Sequence, residues 1–239
     1  MVFPKATPRG VVACGGMTGG VLVEARILGR IELVSGGVRL SLGGTKPCTA
    51  LCSGLASPSR CELRVSSHIF VDETKRAGYV IAAVTVSDTD AIRTIVRALV
   101  LPGQRRIHMK HEQARRRRVI VSALAAMQVQ ATVYDAARRY RTDLAARTAC
   151  LTALVDDIAA RDGDTRLVIE QDDSVVRADR HDLFQLVRQA GIADRLEYRH
   201  QRAYDELLLA LPDIVAWSWV RSGEWRRRIS PILTTVRTV

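Results

Sequence analysis

From residue 65 onward, short apolar segments alternate with longer segments that have the period of an amphipathic helix, and no other feature restricts the fold as much. Residues 68–71 and 78–86 are predicted as two strands, joined by the polar turn Thr74-Lys-Arg-Ala. Strands that alternate with helices after an opening hairpin are typical of the α/β class. We therefore predict one mixed sheet with helices packed on its faces.

The remaining elements follow from the same periodicity. Asp88 is expected to cap the first helix, and Pro102 and Gly103 are expected to end it. The predicted helices are residues 91–101, 113–127, 142–161, 182–189 and 205–220. The further predicted strands are residues 106–110, 129–135, 166–170 and 196–200. With the opening hairpin they form one domain, predicted over residues 65–235.

Residues 1–64 differ from the rest, because glycine and serine are frequent and no helix period is sustained. They carry 8 basic and 3 acidic residues. One interpretation is a glycine-rich basic extension that adds non-specific affinity for nucleic acid. The other, which we favour, is a poorly structured segment without a selected fold, as when translation starts too far upstream. Glycines interrupt every apolar stretch, so no secretory signal is predicted and a cytoplasmic location is expected.

The chain as a whole is strongly basic, with a formal net charge of +11 and a pI near 10.1. This charge favours a polyanionic partner, with nucleic acid as the first candidate, and the alternative is an ordinary solvated surface. No apolar run approaches the roughly 18 residues that span a bilayer, so no membrane partner is expected. The five cysteines form no CxxC pair, which argues against a zinc site. The oligomeric state is not predicted.

Three acidic residues stand in unusually apolar surroundings. Asp72 follows the strand Ile-Phe-Val, Glu170 follows Leu-Val-Ile, and Asp213 lies between Leu-Pro and Ile-Val-Ala-Trp. A carboxylate is costly to desolvate, so such a position predicts a compensating partner or a metal ion. Each residue has an ordinary alternative when taken alone. Asp72 could be a solvated strand end, and Asp213 a first-turn helix residue favoured by the helix dipole.

Together the three carboxylates predict a site for Mg²⁺ or Mn²⁺, since these ions prefer hard oxygen ligands. Two ions about 3.5–4 Å apart can activate a water and stabilise the leaving oxygen of a phosphodiester. The interpretation is a metal-dependent, nuclease-like phosphodiesterase acting on nucleic acid.

The strand Val-Asp-Glu-Thr, the strand Val-Ile-Glu and the helix Leu-Pro-Asp-Ile-Val-Ala-Trp resemble those of a bacterial family known as a domain of unknown function. That family is similar to ribonuclease H and the Holliday-junction resolvases. The resemblance covers about residues 65–231. It implies a ribonuclease H-like mixed sheet, with Asp72, Glu170 and Asp213 as catalytic metal ligands.

The family's opening strand usually reads Asp-Glu-Ser-Gly, whereas this chain has Asp72-Glu73-Thr74-Lys75. The departure favours an alternative, a catalytically inactive ribonuclease H-like module that binds nucleic acid or a protein partner. A third interpretation is a basic scaffold in a defence or mobile-element system.

Further residues are predicted in supporting roles, each with a solvated surface position as its alternative. The candidates for additional ligands, phosphate orientation or proton transfer are Glu73, His108, Lys110, Asp135, Asp172 and His200. The candidates for nucleic-acid binding are the basic runs Arg115, Arg116, Arg117, Arg118 and Arg226, Arg227, Arg228. Trp217 is expected in the core rather than as a stacking platform.

Overall fold

A computed structural model describes residues 67–239, and the prediction for residues 1–64 lies outside this range. A six-stranded mixed sheet forms its centre, in the order β5-β4-β1-β2-β3-β6. The central strand β1 pairs antiparallel with β2 and parallel with β4. β3 pairs antiparallel with β2, and the outer strands β5 and β6 pair parallel with β4 and β3. The strands are β1 (Ser67–Thr74), β2 (Tyr79–Val86), β3 (Val129–Ala137), β4 (Thr165–Glu170), β5 (Leu196–Gln201) and β6 (Leu233–Thr238).

Helices cover both faces of the sheet, which is why the central strands read as nearly continuous apolar runs. One core contains Phe70 of β1 and residues of α1, α2, α5 and α6, and the other contains Ile69 and Val71 with residues of α3 and α4. The helices are α1 (Thr89–Leu99), α2 (Ala114–Ala125), α3 (Asp143–Ala159), α4 (Val176–Gln189), α5 (Ala210–Arg221) and α6 (Gly223–Ile229). The predicted α/β class, a mixed sheet with helices on its faces, is confirmed.

Local signals explain most of the agreement in element positions. The Asp88 carboxylate accepts a hydrogen bond from the Ala91 amide at 2.9 Å, which confirms the predicted cap of α1. Thr142 caps α3 in the same way, through the Ala145 amide. None of the helices in residues 67–239 is long and apolar enough to cross a membrane.

The predicted strand at residues 106–110 is wrong, because this segment is an irregular loop between α1 and α2. Its alternation of apolar and polar residues is real, since Ile107 and Met109 are fully buried. They insert into the core from a loop, however, and the Met109 and Lys110 carbonyls accept hydrogen bonds from Arg117 instead of from a neighbouring strand. We call residues 106–110 the cleft loop.

Other differences occur where the sequence is polar. α4 begins at Val176, six residues before its predicted start, because its first turns are dominated by charged residues without an apolar stripe. α6 and β6 were not predicted, and β6 is mostly exposed, so it lacks the alternation that marks a half-buried strand. β6 runs to Thr238, three residues past the predicted domain end at 235.

The turn between β1 and β2 depends on Gly78. Its φ of +111° is unfavourable for a side chain, and an added Cβ would overlap the backbone of Ala137 on β3. We expect Gly78→Ala to destabilise the protein more than Gly191→Ala, where φ is +67° but no atom lies within 4 Å. The control should cost about 1 kcal/mol of unfolding free energy for the left-handed conformation alone. Urea unfolding measures both, and equal costs would contradict the steric argument.

Candidate functional site

The three predicted acids converge at one edge of the sheet. β1 and β4 run parallel with Val71 opposite Ile169, so the next residues, Asp72 and Glu170, emerge at the same edge and on the same face. Asp213 lies in the first turn of α5, which packs against β1. All three side chains line one cleft of about 980 Å³.

Asp72 is the most strongly constrained of the three. It is only 9 % exposed, and its Oδ1 accepts a hydrogen bond from the Glu73 amide at 2.7 Å. Its other oxygen has no hydrogen-bond partner among residues 67–239. Burial, and then the negative charges of Glu170, Asp213 and Glu73, raise the pKa of Asp72 well above its ordinary value, although the Glu73 amide opposes the shift. The charged form is therefore costly without a cation beside it.

The cleft loop lies across the other two acids. The Arg106 guanidinium donates to Glu170 at 2.8 Å, and the Met109 amide donates to Asp213 Oδ2 at 2.8 Å. His108 Nδ1 is 3.4 Å from the same Asp213 oxygen. Among the described residues, no group of three or more His, Cys, Asp or Glu side chains is already arranged to hold a metal ion.

His108 and Lys110 both line the cleft, as does Asp172. Hydrogen bonds from Ser174 hold Asp172 and are the main reason that its pKa is lowered. Lys75 lies 3.6 Å from Asp172 and 3.8 Å from Glu73, so its ammonium bridges two acids at the rim of the cleft.

Glu73 belongs to a buried network rather than to the group of three acids. Its Oε2 accepts from Arg147 at 2.8 Å, and Arg147, only 2 % exposed, also donates to Tyr79 and twice to Asp179 at 2.6 Å. His200 Nε2 is 3.0 Å from Asp179 on the far side. Burial opposes the charged form of Asp179, but hydrogen bonds from Arg147 and His200 outweigh it and lower the pKa. The predicted role of His200 at the metal site is therefore wrong, since the imidazole is engaged in this network.

Asp135 is also outside the cleft, so its predicted role as a neighbouring acid is wrong. It lies on β3, and β2 separates it from β1. One carboxylate oxygen accepts from the Ala137 amide at 2.8 Å, and the other accepts from the Trp219 indole at 3.1 Å.

Most of the predicted nucleic-acid-binding arginines make contacts within the protein. Arg116 donates to the Leu99 carbonyl, Arg117 to the cleft loop, and Arg226 to the Trp219 carbonyl. Arg118 and Arg228 pair with Glu224 at 3.9 and 2.8 Å. Within these two runs, only the side chains of Arg115 and Arg227 have no hydrogen bond or ion pair among residues 67–239.

Sequence reasoning missed Arg106 and Arg147. A signal for Arg147 was present, because it shares a helix face with Cys150, Leu151 and Leu154, all buried. A charged residue on such an apolar face predicts a buried ion pair. Arg106 had no comparable signal, since its partner is fixed only by the path of the cleft loop.

No protein-family model matches the chain, and no curated protein matches it. Among solved structures, the chain is similar to a point mutant of Bst-RNase HIII, with 18% identity and a TM-score of 0.39 over 71% of this chain and 57% of that one. It is also similar to Bst-RNase HIII in complex with Mn²⁺, with 18% identity and a TM-score of 0.38 over 67% and 55%. The chain spans little more than half the length of these chains.

The buried network predicts a pH-dependent effect of replacing Arg147. In the wild type the lowered pKa of Asp179 contributes stability that is complete above the ordinary carboxyl pKa and is lost as the pH falls through the native value. Arg147→Met leaves Asp179 buried without its main cation, so we expect a cost of about 3–5 kcal/mol at pH 7. The cost should shrink toward pH 4, because a buried carboxyl without its cation takes up a proton.

Urea unfolding at several pH values measures this difference. Arg166→Met is the matched control, since it breaks an exposed pair with Glu197 at 2.8 Å and should cost less than about 1 kcal/mol. A cost for Arg147→Met that stays constant between pH 4 and 7 would contradict the electrostatic explanation.

Proposed function

We propose that the cleft binds a divalent cation, Mg²⁺ or Mn²⁺, and that the protein is a metal-dependent phosphodiesterase acting on nucleic acid. The observation that carries this proposal is Asp72, a buried carboxylate with one oxygen unpartnered among residues 67–239, in a cleft that it shares with Glu170 and Asp213. Burial, and then nearby negative charges, make its ionised form unfavourable, and a bound cation is the partner that would reverse this.

The donor set fits such an ion. Asp72, Glu170 and Asp213 offer only carboxylate oxygens, which hard divalent cations prefer over nitrogen or sulfur. One oxygen of Asp72 has no hydrogen-bond partner among residues 67–239, and Glu170 pairs with the partly exposed Arg106, which a cation could displace. When bound, the cation would lower the pKa of a water and stabilise charge on the leaving oxygen.

The chain's own residues have separate tasks in this proposal. Asp213 is fixed by the Met109 amide, so its orientation does not depend on a ligand. His108, 3.4 Å from Asp213, is the imidazole positioned to move a proton at the cleft. Lys110 lines the same cleft and supplies a positive charge for a phosphate oxygen.

Calorimetric titration of Mn²⁺ into the full-length chain tests the site. We expect Asp72→Asn to weaken binding at least about tenfold, or 1.4 kcal/mol, because a neutral amide removes a ligand charge from a buried position. Asp213→Asn should abolish Mn²⁺-dependent cleavage of labelled oligonucleotides while circular dichroism stays unchanged.

Asp173→Asn is the matched control, since Asp173 lines the same cleft but is exposed and pairs with Arg202 at 2.9 Å. It should leave both Mn²⁺ binding and cleavage close to wild type. Equal binding by wild type and Asp72→Asn would remove the basis of the metal site.

The second candidate function is a module that retains this fold and binds nucleic acid without cleaving it. The Arg106–Glu170 ion pair at 2.8 Å favours it, because a guanidinium already compensates one of the three acids. Lys75, which bridges Glu73 and Asp172, adds a second positive charge where the resembling family has glycine.

Arg106→Met distinguishes the two candidates. If the ion pair blocks the site, the variant should bind Mn²⁺ at least about tenfold more tightly than the wild type, because Glu170 gains a free carboxylate. If Arg106 exchanges readily with the cation, the two proteins should differ little in Mn²⁺ affinity. Arg105→Met, which removes an adjacent arginine that contacts Tyr204 instead, is the control.

A further inference from the structure

Three arginines from different elements gather at the rim of the cleft. Arg76 lies in the turn between β1 and β2 and lines the cleft with Trp217 of α5. Arg117 of α2 and Arg221 of α5 both lie over the Trp217 ring, with their guanidinium carbons 4.9 and 5.0 Å from its centroid. Trp217 itself is 8 % exposed, so the ring is a fixed support for both cations.

No carboxylate neutralises this group within residues 67–239. Arg76 and Arg221 have no ion pair there, and Arg117 donates only to the Met109 and Lys110 carbonyls. The Nη1 of Arg117 has no hydrogen-bond partner among residues 67–239. Slight desolvation, and then the charges of Arg76 and Arg117, lower the pKa of Arg221, as expected for cations that lie near one another.

This arrangement differs from the other arginine-rich surfaces. On α2 and α6, Arg118 and Arg228 share the acid Glu224, which offsets part of their charge. The rim arginines instead meet at the mouth of a cleft whose floor is acidic. A phosphodiester matches the arginine rim, since its anionic oxygens fit the planar donors of arginine.

We propose that Arg76, Arg117 and Arg221 form a phosphate-binding site for the backbone of a nucleic acid, beside the acidic floor of the cleft. The proposal rests on the proposed function only for the later hydrolysis of the bound nucleic acid. Binding itself needs no cation at the acids, so it can be measured in the presence of a chelator. The site assigns roles to Arg76 and Arg221, which lie outside both basic runs of the sequence.

The test is fluorescence anisotropy of a labelled 12-nucleotide single strand with the full-length chain in EDTA. The double variant Arg76→Gln and Arg221→Gln should bind at least about tenfold more weakly. The negative slope of log K against log salt should become shallower by about 1.4, or 0.7 for each lost phosphate contact. Arg117 is left unchanged because it also holds the cleft loop.

The double variant Arg138→Gln and Arg141→Gln is the matched control, because it removes the same charge from exposed arginines that have no ion pair in the described range and belong to neither basic run. It should change affinity less than about threefold. Residues 1–66 are present in every protein, so their charge cancels from the comparison. Equal losses in the two double variants would show that affinity follows net charge alone, and would overturn the proposal.

Competition separates the sources of the phosphate group. A nucleic-acid site predicts that unlabelled oligonucleotide displaces the probe at far lower concentration than a mononucleotide or inorganic phosphate. Displacement by inorganic phosphate at the same concentration would overturn the assignment to a polymer.

If the wild type binds through these arginines but never cleaves with Mn²⁺, the hydrolysis proposal fails alone. If it cleaves and the rim variant binds normally, the phosphate site fails alone.

Discussion

The parallel pairing of β1 with β4 is the constraint on which the site depends. Because Val71 lies opposite Ile169, Asp72 and Glu170 leave neighbouring strands at the same level and on the same face. Hydrogen bonds of the sheet, rather than a loop, therefore hold these two carboxylates near each other. α5 then places Asp213 at that edge by packing on β1 and its neighbour β2. The backbone is already in place, so a ligand would have to offset only the burial of Asp72 and the charge repulsion among the acids.

The dipeptide Asp72-Glu73 shows how a sheet can treat adjacent acids differently. Strand alternation directs Glu73 toward α3, where the buried Arg147 neutralises it. Asp72 points to the opposite face, where burial is just as severe but no cation of residues 67–239 forms an ion pair with it. One acid is thus part of the structural framework, and the other retains a need for a positively charged ligand. This asymmetry is the reason that the proposed cation site is centred on Asp72.

The sequence predicted the α/β class and the three acids of the cleft because strand ends, caps and apolar runs are local signals. It could not predict which face a strand-end residue occupies, since that depends on register. His200 lies opposite Ile169, and so it shares the face of that residue rather than the face of Glu170. Asp135 lies two strands from β1, a distance that only the strand order reveals. The apolar alternation of Ile107 and Met109 predicted a strand because a loop that inserts side chains into a core has the same pattern.

The cleft loop holds its two acids by different kinds of bond, and this difference has an evolutionary consequence. Asp213 is held by a backbone amide whose position is fixed by the buried Met109 side chain, so no substitution of a polar loop residue removes that donor. Glu170 is held by the side chain of Arg106, which a change in one codon would remove. Descendants of this chain can therefore gain or lose a free acid at Glu170 while the scaffold around Asp213 is inherited unchanged.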